Sequence, residues 1–143
     1  MIVIGIDPGK TTGIAVYDHD ATTMLGVQIA FDDFGDWLNI SLSNLVAQDV
    51  TIACERFAIT AGTFKKSQDA HWALEAIGVT RYLTHCYGRS LILQTAGSAK
   101  SFASDAKLRI AQWYVPGHDH ANDAIRHVAL ALASMKIAPP WAR

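Results

Sequence analysis

Met1-Ile-Val-Ile-Gly-Ile-Asp7-Pro-Gly-Lys-Thr-Thr-Gly13-Ile-Ala-Val16 is the stretch whose reading decides the fold. An apolar run from Ile2 to Ile6 ends in one carboxylate, a Pro8-Gly9 turn follows, and a second apolar run starts at Gly13. Apolar runs bounded by Gly and Pro predict two buried strands of a hairpin. Asp7 then stands at the end of a strand covered on both faces. A lone carboxylate there is costly unless a cation or hydrogen bonds satisfy it, so Asp7 is a metal-ligand candidate. Gly9-Lys10-Thr11 has the look of a P-loop tail, but G-x-x-x-x-G-K-[ST] needs glycine where Ile4 stands, and Gly5 is one residue too close. The turn also leads into a strand pattern, Thr12 to Tyr17, where a P-loop must open a helix.

At 143 residues the chain is the size of one domain, read as 1–143 with 136–143 as a C-terminal tail. Half the residues are hydrophobic, no low-complexity tract appears, and no apolar run approaches the ~20 residues of a membrane span. The N-terminus lacks the basic region and cleavable apolar stretch of a signal peptide. Cys54 and Cys86 offer no disulfide framework, which suits reduced thiols in a cytoplasmic protein. The net charge of −1 hides an asymmetry: residues 1–54 carry one base against seven acids, and residues 56–110 carry eight bases against three acids. A chain of near-zero net charge can thus present a cationic face to a phosphate backbone.

Working outward, Met24 to Phe31 reads as a third strand of a meander. Asp32-Asp33 or Asp36 would cap a helix marked by Phe34, Trp37, Leu38, Leu42, Leu45 and Val46. Val50 to Cys54 is a β-branched apolar run ending, like the first strand, in an acid, Glu55. Phe57 falls in a loop after it. A helix is expected from Ser67 to about Cys86, a fifth strand at Leu91–Leu93, and a loop at Thr95–Ser98. One further helix is expected over Lys100–Tyr114, with Ala106, Ile110 and Trp113 inward. After Pro116-Gly117, His118-Asp-His120-Ala-Asn-Asp123 leads into a strongly apolar helix from Ala124 to Met135. His120 and Asp123, three apart, share a face of one helical turn. Asp7, Glu55, His120 and Asp123 converge only if the first and fourth strands are neighbours and the last helix crosses their ends.

These residues carry a resemblance. Ile4-Gly-Ile-Asp7-Pro-Gly9 with Thr12-Gly13, Ala53-Cys-Glu55 followed by Phe57, and His120-Ala-Asn-Asp123-Ala124, in this order and spacing, resemble the RuvC-like Holliday junction resolvases of the RNase H-like superfamily. The resemblance spans residue 1 to about 135. An Asp-Pro-Gly loop alone is shared with actin-like kinases; the three blocks together are more specific.

The resemblance implies an α/β, RNase H-like fold: a mixed five-stranded sheet, three strands antiparallel and then two parallel, flanked by helices. It also implies a metal-dependent endonuclease that resolves four-way junctions by paired nicks as a homodimer, in the cytoplasm of a bacterium or a phage-infected cell. Asp7, Glu55, His120 and Asp123 would be the catalytic and metal-binding residues, holding two Mg²⁺ ions with Mn²⁺ able to substitute. His120 stands where many members carry an acid; imidazole suits Mn²⁺ better than Mg²⁺, so it is read as ligand or as proton carrier. Asp119 is a second, weaker source of the missing carboxylate. Phe57 corresponds to an aromatic that stacks on an unpaired base, and Lys65, Lys66, Lys100 and Lys107 to cations that grip phosphates. His118 reads as a loop residue, and His71, His85 and His127 as structural.

Three alternatives stand beside this reading. An RNase H-like nuclease could process RNA instead. An actin-like ATP-binding phosphotransferase shares the Asp-x-Gly loop but needs a second, duplicated domain. A non-catalytic DNA-binding module would need no buried acids.

Overall fold

The computed structural model describes residues 1–57 and 70–142. Ile2–Asp7 (β1), Thr11–Asp18 (β2) and Thr23–Ala30 (β3) form the expected antiparallel meander. Val50–Glu55 (β4) pairs parallel with β1, and Ser90–Gln94 (β5) parallel with β4, giving the order β3-β2-β1-β4-β5. The sheet is mixed and five-stranded, three strands antiparallel and two added in parallel. All six residues of central β1 are buried, as an unbroken apolar run requires.

Side chains alternate between the two faces. Ile2, Ile4, Ile6 and Ile52 join Phe34, Leu38 and Leu42 of helix α1 (Phe31–Asn44) and Ala76 and Ile77 of α2 (Ala70–Cys86) in one core. The opposite face carries Val3, Ala15, Tyr17 and Ala53 beneath Ala124, Ile125, Val128 and Leu132 of a long helix, Asp119–Ser134. Between β5 and that helix lie two short helices, α3 (Ala96–Phe102) and α4 (Asp105–Ile110), so the long one is α5.

Four small residues line up beneath α5. Gly26, Ala15, Gly5 and Ala53 are successive register partners across β3, β2, β1 and β4. A Cβ on Gly5 would overlap the carbonyl of Ala124, and one on Gly26 would lie 2.8 Å from Ile125 Cδ1. The row of missing side chains is what lets α5 lie close against the sheet.

Some local expectations differ from what forms. α1 starts at Phe31, a residue whose apolar pattern predicts the end of β3; Ala30 makes no side-chain cap, and Asp32 and Asp33 lie in the first turn, where they complement the helix dipole. The single helix expected over Lys100–Tyr114 is two. Thr95 Oγ1 accepts from Ser98 N at 3.1 Å and Ser104 Oγ from Lys107 N at 3.5 Å, so each short helix has its own N-cap. The break turns Ala106 and Ile110 outward, with Ile110 70% exposed, and leaves Ala103, Leu108 and Trp113 as the buried positions. At the C-terminus Trp141 stacks edge-on against Trp113 at 5.7 Å and lies 6.1 Å from Phe102, tying the end of the chain to the α5 face.

Gly78 lies mid-helix in α2, and a Cβ added there would meet nothing within 4 Å. Gly78→Ala is therefore expected to stabilise the fold by about 0.5–1 kcal/mol, the ordinary cost of a helical glycine. Urea denaturation measures it; a loss of stability would contradict the open surroundings.

Candidate active site

The strand ends supply the site. On the α5 side, Gln28 of β3 is the register partner of Gly13, Gly13 of Asp7, and Glu55 of Gln94. Because Ile6 pairs with Cys54, Asp7 and Glu55 end adjacent parallel strands. The first turn of α5 settles on this row. Gln28 Oε1 accepts from His120 N at 2.9 Å, a Cβ on Gly13 would overlap the His120 carbonyl, and His120 Nδ1 lies 2.7 Å from Asp7 Oδ2. Thus two neighbouring strands and the crossing helix, the arrangement convergence demands, are all present.

Asp7 is 7% exposed. Its carboxyl is pushed up to about 6, chiefly by burial, with further repulsion from Glu55 and Asp123, while the hydrogen bond to His120 pulls the other way. His120 is raised in turn, first by its hydrogen bond to Asp7. Asp123 is held from both sides: Lys100 Nζ lies 3.0 Å from Oδ2, and the Arg126 guanidinium donates to Oδ1. Arg126 also donates to Asp105 and to the Ala103 carbonyl, which pins the α3–α4 corner to α5. Glu55 faces His127, whose Nε2 is 3.7 Å from Oε2.

The donor set suits a hard divalent cation. It offers carboxylate oxygens, one buried acid that its neighbours repel, and a half-exposed imidazole alongside. As they stand, no three His, Cys, Asp or Glu among the described residues are gathered tightly enough to hold one ion in common. Asp123 is instead drawn towards Lys100 and Arg126.

The other residues singled out in the sequence are placed as follows. Lys100 borders a cavity of about 400 Å³ shared with Asp119, Asp123 and Arg126. Lys107 donates to the Phe102 carbonyl at 2.6 Å and sits 5.5 Å from the Phe102 ring centre, so its charge is engaged locally. Phe57 is half-buried on the α1–α2 core and walls a cavity of about 320 Å³ with Pro8, Gly9, Lys10 and His120. Lys65 and Lys66 lie outside the described residues. His118 is exposed, its Nδ1 2.9 Å from the Pro116 carbonyl.

The sequence assigns no role to Gln28, Gln94, Asn122 or Arg126, and His127 reads there as structural. Asn122, 1% exposed, clamps Val115 through both its backbone N–H and its carbonyl, at 2.9 and 2.8 Å, and so ties the turn before α5 to its first residues. Gln28 and Gln94 each fall on the strand position level with an acid of the site, a relation set by the sheet register.

Sheet order, strand directions and the helix crossing the ends of β1 and β4 define an RNase H-like fold of the RuvC type. Several solved structures share it, two of them of Thermus thermophilus RuvC. One, Thermus thermophilus RuvC in complex with Holliday junction substrate, is 19% identical, with 98% of this chain and 99% of that chain covered and a TM-score of 0.65. The other, Thermus thermophilus RuvC, matches at the same identity and coverage with a TM-score of 0.58. No family model and no curated protein matches the sequence. No helix among the described residues is long and apolar enough to cross a membrane.

Proposed function

We propose that the chain is a divalent-metal-dependent endonuclease that resolves four-way DNA junctions by paired nicks, working as a homodimer. The observation that carries the reading is the Asp7 carboxyl: buried, bonded to His120, and repelled by Glu55 and Asp123, it gathers the effects of all four site residues at one point. A non-catalytic DNA-binding module has no use for such a costly arrangement. The T. thermophilus RuvC structure with a Holliday junction supports the substrate class.

Asp7, Glu55, Asp123 and His120 would hold two Mg²⁺ or Mn²⁺ ions. The chemistry supplied there would be activation of a water for in-line attack and neutralisation of charge on the leaving 3′ oxygen. The chain's own residues prepare the place. Burial raises the Asp7 carboxyl to about 6, so a cation would compete with its proton around that pH. His120, anchored through Nδ1, keeps its other ring nitrogen for a ligand or a proton in transit. Lys100 leaves Asp123 for a DNA phosphate, which frees Oδ2. Phe57 lines the cavity beside the Pro8-Gly9 turn, where a splayed base can stack on its ring.

Lys100→Ala is expected to weaken junction binding and lower the slope of log affinity against log salt by about one, the share of one phosphate contact. Lys107→Ala should change binding less, because that amine already serves the Phe102 carbonyl. Binding isotherms at several salt concentrations decide both, and an unchanged slope for Lys100→Ala returns it to the solvated surface. The reading as a whole is tested by offering junction, flap, fork, duplex and RNA–DNA hybrid substrates side by side in Mg²⁺, Mn²⁺ and EDTA. Preferential metal-dependent cutting of the junction is expected. Preferential cutting of the RNA-containing substrate would transfer the same site to RNA processing.

A further inference from the structure

Seven residues beyond His120, α5 brings a second imidazole to the sheet. Two helical turns separate the two, so His120 meets Asp7 and His127 meets Glu55, with Asp123 between them on the helix. His127 is 1% exposed on a helix whose other buried neighbours are Ala124, Val128, Ala131 and Leu132. A polar ring at such a depth is costly unless its nitrogens are used.

Both nitrogens have assignments. The Gln94 amide satisfies its surroundings in one orientation: its nitrogen donates to His127 Nδ1 at 2.9 Å and to the His127 carbonyl at 3.1 Å, while its oxygen accepts from Ala131 N at 3.2 Å. Nδ1 then accepts, which places the ring proton on Nε2, and Nε2 lies 3.7 Å from Glu55 Oε2. Gln94 and Glu55 are register partners on β5 and β4, so the ring, the amide and the acid are each fixed by a different element. At 3.7 Å the ring nitrogen and the carboxylate are close without reaching hydrogen-bond distance.

We propose that His127 is a positioning residue for Glu55: with its tautomer set by Gln94, it holds the carboxylate in the orientation needed to bind a divalent cation. Carboxylates that ligate metals are themselves commonly oriented by such a partner, and losing it weakens metal affinity about 10–100-fold. The inference rests on the metal-nuclease reading and adds a residue to it that touches neither metal nor DNA. A purely structural His127–Gln94 pair would change stability alone.

The full chain is compared with His127→Leu, His127→Gln and Gln94→Leu by Mn²⁺ titration without DNA, thermal melting in EDTA, junction binding in EDTA, and single-turnover cleavage. His127→Leu is expected to bind Mn²⁺ about 10–100-fold more weakly and to cleave more slowly at saturating junction, with junction affinity in EDTA unchanged. His127→Gln, whose amide can donate, should recover part of the Mn²⁺ affinity. Gln94→Leu, which keeps the ring but frees its tautomer, should fall between, and it carries the test if His127→Leu does not fold. Wild-type Mn²⁺ affinity in the folded variants overturns the role of His127 and leaves the nuclease reading standing. Failure of the unaltered chain to bind Mn²⁺ overturns both.

Discussion

Asp7→Asn should reduce junction cleavage by about 10³-fold or more while leaving junction binding intact. In the proposed mechanism this carboxylate would hold cations that supply several kcal/mol of transition-state charge stabilisation, and each 1.4 kcal/mol or so is a factor of ten. The same substitution should change stability in the opposite sense. In the metal-free fold the Asp7 carboxyl is raised from 3.8 to about 6, so between those values the folded chain holds a proton that the unfolded chain has lost. The contribution of this group to stability is therefore fully present below about pH 4 and is lost as pH rises through about 6, roughly 3 kcal/mol in all. Asparagine removes that decline, offset in part by the altered hydrogen bond to His120. Denaturation in EDTA from about pH 4 to about pH 7 should show a falling curve for the unaltered chain and a flatter one for Asp7→Asn. In the unaltered chain, stabilisation by added Mn²⁺ should grow across the same interval as the proton gives way. Undiminished cleavage by Asp7→Asn would remove Asp7 from the site.

Among the described glycines, Gly13→Ala should have the largest structural effect. Its Cβ would overlap the His120 carbonyl, a backbone atom fixed by α5 and by the Gln28 hydrogen bond, so neither side can yield by turning a side chain. Overpacking of this kind ordinarily costs about 1–3 kcal/mol, and against backbone the upper end or more is expected. Either the fold weakens by that amount, or α5 lifts, His120 leaves Asp7, and cleavage fails in a protein that still folds. The same chemical change at Gly78 should stabilise. Opposite signs for the two alanines, measured in one denaturation series, would show that close approach of α5 holds the site together. Tolerance of Gly13→Ala would contradict it.

Asp7 and Glu55 are legible in the sequence because each is the first charge after an uninterrupted apolar run, and a strand buried on both faces tolerates charge only at its end. The pairing of β1 with β4 is not legible: it joins segments some fifty residues apart, and nothing local records which strands become neighbours. The sheet order resolves it. The α3–α4 break escapes notice because Ala106, Ile110 and Trp113 mimic helical spacing, although Ser104-Asp105 is a good helix start. That miss hides the contact of Lys100 with Asp123. His127 looks no different in sequence from His71 and His85, since none has a partner nearby in the chain; its partners, Glu55 and Gln94, are long-range and come from two other strands.

The central claim is that cations held by these four residues act on the scissile phosphate of a junction. A phosphorothioate placed at the mapped nick of a synthetic four-way junction tests it directly, since sulfur is a poor ligand for Mg²⁺ and a better one for softer ions. Cleavage should fail in Mg²⁺ for one sulfur stereoisomer and return in Mn²⁺, while Asp7→Asn stays inactive in both. Equal cleavage of the oxygen and sulfur junctions in every metal, or cleavage that persists in EDTA, would contradict the account.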